Sequence, residues 1–236
     1  DPPLSYAIGG QLESLEVFRG IAPVSVAQES IGGAVDAKSM RGEFTDSNDM
    51  QLAGRVIANT QSVNNSYHLE SALVASNRQH RVRVAAMTEN GDDAEFPDGH
   101  IRPTEYDRQR YDFGYGFRTG YHTVQLDYGY NDTGDAGTPA LPMDIETIDG
   151  DLYGLTYSFD RSEVINSSVT LFGSDLDHTM TNYKLRQAPA ASMWRRNTAS
   201  ADNIGLKLKT TLFDTDGATT FGMDGFSAKH NSDIDN

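Results

Sequence analysis

His178 and Met180 stand two positions apart in the stretch SDLDHTM, residues 174–180. An imidazole and a thioether are soft to borderline donors that suit Cu(I) or Cu(II), whereas hard cations prefer oxygen. On extended backbone a spacing of two aims both side chains the same way. A thioether needs no deprotonation, which fits capture followed by release. Asp175 and Asp177 could raise the local cation concentration or orient the imidazole from behind. An isolated His-x-Met is just as compatible with an ordinary solvated loop, so the elements that carry the pair must decide between the readings.

Other candidates are weaker. Met143, in LPMDI, could add a sulfur donor from a neighbouring loop or simply pack a loop base. Met193 beside Trp194 reads as loop packing. Asp144, Glu146, Asp149 and Asp151 form an acidic run with oxygen ligands for Ca²⁺, but without EF-hand spacing it reads as a solvated acidic loop. No nucleophile elbow, Walker loop, dinucleotide fingerprint or zinc-protease helix occurs, and the six histidines have no triad-like setting. The chain is expected not to be an enzyme and to need no catalytic cofactor.

Composition narrows the class. The 236 residues carry a formal charge of -15, which argues against nucleic acid as a partner and for a cation-attracting surface. With no cysteine, disulfides and thiolate metal sites are excluded within the chain. No apolar run is long enough for a membrane helix, but barrel strands need only about 10 alternating residues each. The opening DPPLSYAIGG has neither an initiator methionine nor a basic leader, so the chain is read as mature, trimmed or fragmentary.

Residues 1–45 read as a compact α+β piece with strands near Leu15–Phe18 and Ala34–Ala37 and tight turns. From Gln51 to the end, residues 51–236, the text alternates with period two. Tyr111, Phe113, Tyr115 and Phe117 oppose Asp112, Gly114, Gly116 and Arg118, and Tyr153, Leu155, Tyr157 and Phe159 oppose Gly154, Thr156, Ser158 and Asp160. Repeated alternation of this kind means antiparallel sheet with one apolar and one polar face. About nine strands are expected, at 51–60, 66–76, 81–90, 108–118, 122–131, 149–159, 163–174, 201–213 and 218–228. Short turns fall at one end, and long polar loops at about 91–107, 132–147 and 176–200 fall at the other. That is the outer-membrane barrel pattern, with a soluble β-sandwich as the competing architecture. It places His178 and Met180 in a loop at the barrel mouth.

Leu15–Glu16–Val17, Arg19–Gly20, Ile31–Gly32–Gly33 and Lys38 resemble the end of the plug domain of TonB-dependent outer-membrane receptors. Ile21 before Ala22–Pro23, and VAQES before Ile31, depart from the usual pattern. The resemblance implies the C-terminal part of an α+β plug at 1–45. It also implies, at 51–236, the first nine strands of a transmembrane barrel of about 22. Glu16 and Arg19 would then pair with charges inside the barrel. DPPLSY, GTPALPMDI and LDHTMTNYKLR are most similar to the copper-receptor branch. This makes His178 and Met180 the barrel half of a metal site whose plug partner would precede Asp1. Implied with it are copper as transported ligand, a TonB-type energy-transducing inner-membrane partner, outer-membrane lipid as surroundings and a Gram-negative outer-membrane location. A siderophore or metal-chelate receptor, reading its ligand with Tyr106, Arg108, Tyr183, Arg186, Trp194 and Arg195, is the nearest alternative. Further off are a porin, an adhesin or a soluble β-rich module.

Overall fold

The computed structural model describes residues 9–21, 26, 32–161 and 163–235. The DPPLSY opening, Ile31 and all but Val26 of VAQES lie outside them. A 3-10 turn at Gly9–Gln11 leads into β1 (Leu12–Arg19), which pairs antiparallel with β2 (Gly33–Ser39) and sets Val17 opposite Val35. Both expected strands of this region are present. Among the described residues of 1–45 there is a hairpin and one 3-10 turn, with no α-helix; residues 1–8, 22–25 and 27–31 of the expected α+β piece lie outside them. Alternating Leu15 and Val17, matched by Val35, commits the described part to pleated backbone.

The remaining strands are β3 (Gln51–Gln61), β4 (Ser66–Ser76), β5 (His80–Gly91), β6 (Ala94–Phe96), β7 (Gly99–Ile101), β8 (Tyr106–Thr119), β9 (His122–Ala136), β10 (Asp144–Arg161), β11 (Ile165–Thr181), β12 (Arg196–Asp214) and β13 (Gly217–Asp235). β6 and β7 form a small hairpin inside the first long loop. The other nine make one antiparallel sheet in the order β13-β12-β11-β10-β9-β8-β5-β4-β3, a meander from edge to edge. The expected number of strands is met, and so is the expected segregation of loops, with connections 92–105, 137–143 and 182–195 at one end.

The sheet has two chemically distinct faces. On the outer face the register sets Leu52, Ala75, Val82, Tyr115, Leu126, Leu155, Leu171 and Leu206 side by side across eight strands. Next to this row runs an aromatic one containing Phe113, Tyr128 and Tyr153. Tyr153 lies over Gly173, where a Cβ would come within 2.3 Å of its ring. Most of these side chains are exposed, Leu171 at 48%, while Ala75, Val82 and Tyr115 are half-buried. A contiguous exposed apolar face of this size marks a surface that meets a partner or a membrane.

The inner face is polar and carries the N-terminal hairpin. Arg83, only 5% exposed, donates to Gln11 Oε1 at 3.0 Å, and Arg41 pairs with Asp127 at 2.6 Å. Arg110 donates to both oxygens of Asp112. Glu70, 2% exposed, lies 3.8 Å from Arg55 Nη2 and 3.5 Å from His68 Nε2. Gly10 sits so close that a Cβ there would fall 2.1 Å from Glu70 Oε2, so a larger residue would displace the Glu70 carboxylate. The segment leaving β2 is fastened at the short-turn end, where the Phe44 ring meets the guanidinium groups of both Arg81 and Arg118, at 4.5 and 4.6 Å. Glu16 does not reach the barrel wall. It pairs with Lys38 of its own hairpin at 3.6 Å, because the β1–β2 register places the two on neighbouring positions of one face.

Candidate metal-capture site

His178 and Met180 are on β11, not in a loop. The strand runs to Thr181, seven residues past the expected end. His178 is paired with Ile148 of β10 and Ala199 of β12, and Met180 with Ile145 and Asn197. Extended backbone with a spacing of two puts both on the inner face, about 7 Å apart along the strand. The expectation that the pair points one way is met; the expectation of a loop is not. At this height the outer face carries aspartates in place of leucines and tyrosines, so its apolar alternation stops while the hydrogen-bonded ladder continues.

The odd-numbered neighbours face the other way. Asp175 and Asp177 lie on the outer face, where Asp151, Asp175 and Asp202 are directly opposite one another, as are Asp132, Asp149 and Asp177. They therefore cannot orient the His178 imidazole. The Tyr130 hydroxyl donates to Asp149 at 3.1 Å and the Tyr128 hydroxyl to Asp151 at 2.5 Å, tying the aromatic row to the acidic rim above it. The acidic run is thus spread over two faces and several partners rather than gathered around an ion. Among the described residues no three His, Cys, Asp or Glu side chains form a metal-holding group.

His178 is half-buried and stands beyond the apolar rows. Burial holds its pKa below the usual histidine value, which keeps the ring neutral and able to donate a nitrogen lone pair to a metal. It lines a cleft of about 630 Å³ with Leu152, Ser174, Leu176, Asn203 and His230 of β13. Met180 stands one inner-face position further toward the loops.

The loops above the site are clasped together. Arg186 donates Nε to Asp144 Oδ2 at 2.6 Å and Nη2 to Asp144 Oδ1 at 2.5 Å, and adds Nη1 to the Leu141 carbonyl at 2.9 Å. Asp144 is fully buried and also accepts the Thr138 amide at 2.9 Å. Burial alone would raise its pKa. The Arg186 hydrogen bonds, the Thr138 contacts and the Arg186 charge outweigh it and hold the carboxyl below its ordinary value. Lys184, hydrogen-bonded to Asp135 and 3.9 Å from Glu146, is raised. Met143, the suggested third sulfur, sits two residues before Ile145, the cross-strand partner of Met180. Tyr183 and Trp194 stack at 4.8 Å within the 182–195 connection rather than on a strand of the sheet.

Two components went unread in the sequence. The Arg186–Asp144 clasp joins residues 42 apart, a separation no local pattern signals. His230 falls beyond the expected end of its strand, although its even position on a continued alternation would have placed it on the inner face.

The fold is that of a TonB-dependent receptor: an open stretch of antiparallel barrel wall with a hairpin held against its inner face. Over 99% of this chain it superimposes on a structure described as the copper transporter OprC, with a TM-score of 0.89 and 20% identity. Over 95% it superimposes on the siderophore receptor PiuA from Acinetobacter baumannii, with a TM-score of 0.62 and 17% identity. The chain spans 37% and 36% of those two proteins, little more than a third of either. No protein-family model and no curated protein matches the sequence.

Proposed function

We propose that this chain is part of a TonB-dependent receptor of a Gram-negative outer membrane whose cargo is copper. In this reading residues 1–45 are the end of the plug and 51–236 the first part of the barrel. The apolar outer face meets lipid, and a TonB-type inner-membrane complex drives uptake. The molecule is a transporter rather than an enzyme. The observation that carries the proposal is the placement of His178 and Met180 on one inner face of β11, with the imidazole kept neutral by burial. A borderline nitrogen and a soft sulfur side by side favour copper over the hard cations that an acidic surface otherwise attracts. The resemblance of 176–186 to a copper-receptor segment and the superposition on a copper transporter support the same cargo.

The test is copper binding by the intact, detergent-solubilised receptor. Substituting His178→Ala or Met180→Ala should abolish tight binding while the heat-modifiable barrel remains folded. Unchanged affinity in both variants would rule the site out. The stacked Tyr183–Trp194 pair favours a second reading, a flat metal-chelate ligand, which predicts that Trp194→Ala weakens uptake of a chelate and leaves free copper binding intact.

A further inference from the structure

We infer that His230 of β13 is a second imidazole of the capture site, meeting an incoming copper ion across the cleft from His178. The inference rests on the copper reading above and adds a residue to it. The register provides the geometry. His178 is level with Ala199 of β12 and Ser232 of β13, and Leu176 is level with Ala201 and His230. All six lie on the inner face. His178 and His230 are thus two strands and two residues apart, a Cα separation of about 12 Å from standard strand spacings. Two imidazoles with metal–nitrogen bonds of about 2.1 Å span that separation when both rings lean inward.

Among the described residues, what lies between them leaves the lane clear. Ala199 and Ala201 are the β12 residues on the line joining the two rings, and each contributes a single methyl group. Both histidines line the same cleft of about 630 Å³. On its Ser174 side Asn203 donates to the Ser174 hydroxyl at 3.1 Å, so the polar groups there satisfy each other. Leu152 and Leu176 make the neighbouring wall apolar. Facing imidazoles over an alanine floor, flanked by leucine, give a soft cation nitrogen ligands, and the acidic rim of the described residues at this height is on the opposite face. Met180, one inner-face position further out, would hand the ion inward to the histidine pair.

Copper(II) titration and X-ray absorption on the intact receptor test this. The wild type should show two imidazoles in the copper shell. His230→Ala should show one, with affinity lowered about tenfold or more, the range in which loss of a group supporting a bound metal falls. Ala201→Leu keeps both histidines but fills the lane, and should reduce affinity by at least as much. If His178→Ala weakens binding while His230→Ala and Ala201→Leu leave affinity and imidazole count unchanged, the inference is overturned and the copper reading stands. A wild-type receptor that takes up no copper overturns both.

Discussion

Asp144 loses all its solvent exposure yet keeps its charge because Arg186 meets it with two parallel hydrogen bonds. Breaking a buried pair from one side leaves an uncompensated charge and costs about 3 kcal/mol or more. Arg186→Ala should therefore release 182–195 from 137–143, seen as rapid proteolysis in the later loop. Arg186→Lys should rescue it only partly, since an ammonium cannot form the fork. Full protection in the alanine variant would show that the clasp is dispensable. The folded carboxyl sits below its ordinary pKa, so the clasp contributes at neutral pH and is lost only as pH falls through and below the ordinary carboxylate range. His178 shifts in the same direction with a different consequence. Its depressed pKa keeps the ring neutral into mildly acid solution, so copper affinity should hold as pH falls through the ordinary histidine range and drop below it. A midpoint at or above the usual histidine value, in a binding-versus-pH series, would contradict that.

At the scale of the strand, the two faces respond differently to the same charge. Leu171 lies in the continuous apolar row between Leu155 and Leu206, whereas Ser158 faces inward between Thr123 and Ser168. Leu171→Arg should cost about 2–4 kcal/mol in refolding into lipid vesicles, the range for arginine near a bilayer midplane, and Ser158→Arg much less. Equal penalties would mean the outer row does not meet lipid. At the rim, Asp175→Asn should stabilise the sheet at low ionic strength, because it removes a charge placed directly opposite Asp151 and Asp202, and added salt should erase the gain. This change of surroundings along one strand also explains what was legible in the sequence. Where the outer face is apolar, alternation marks the strands to within a residue or two, as at β4 and β5. Above that level aspartates replace the leucines and tyrosines of the outer face, and β10, β11 and β12 continue unseen as apparent loop. His178 and Met180 could be picked out by chemistry and spacing. Their support could not, since the clasp and the facing histidine depend on register between segments far apart in sequence.

At the largest scale, the nine-stranded sheet formed by the described residues of 1–236 has two open edges. β3 and β13 are its two edges, and within the described residues neither pairs with another strand of the sheet on its free side. β13 is 19 residues long with nearly every side chain exposed, and its free edge presents a row of unpaired backbone donors and acceptors. In hydrocarbon each such group costs several kcal/mol, and in water an edge of this length recruits other chains. The hairpin does not relieve this, because it packs on the inner face rather than along an edge. Residues 1–236 produced alone are therefore expected to yield no folded monomer, either in buffer or in detergent micelles. Light scattering after size exclusion should find aggregates whose infrared spectrum is rich in intermolecular sheet. If the proposed receptor reading holds, a longer chain that also carries closing strands should run as a heat-modifiable monomer. A stable, monodisperse monomer of the isolated segment in buffer would mean that the apolar rows are covered within the chain itself, and the membrane reading of the outer face would fall with it.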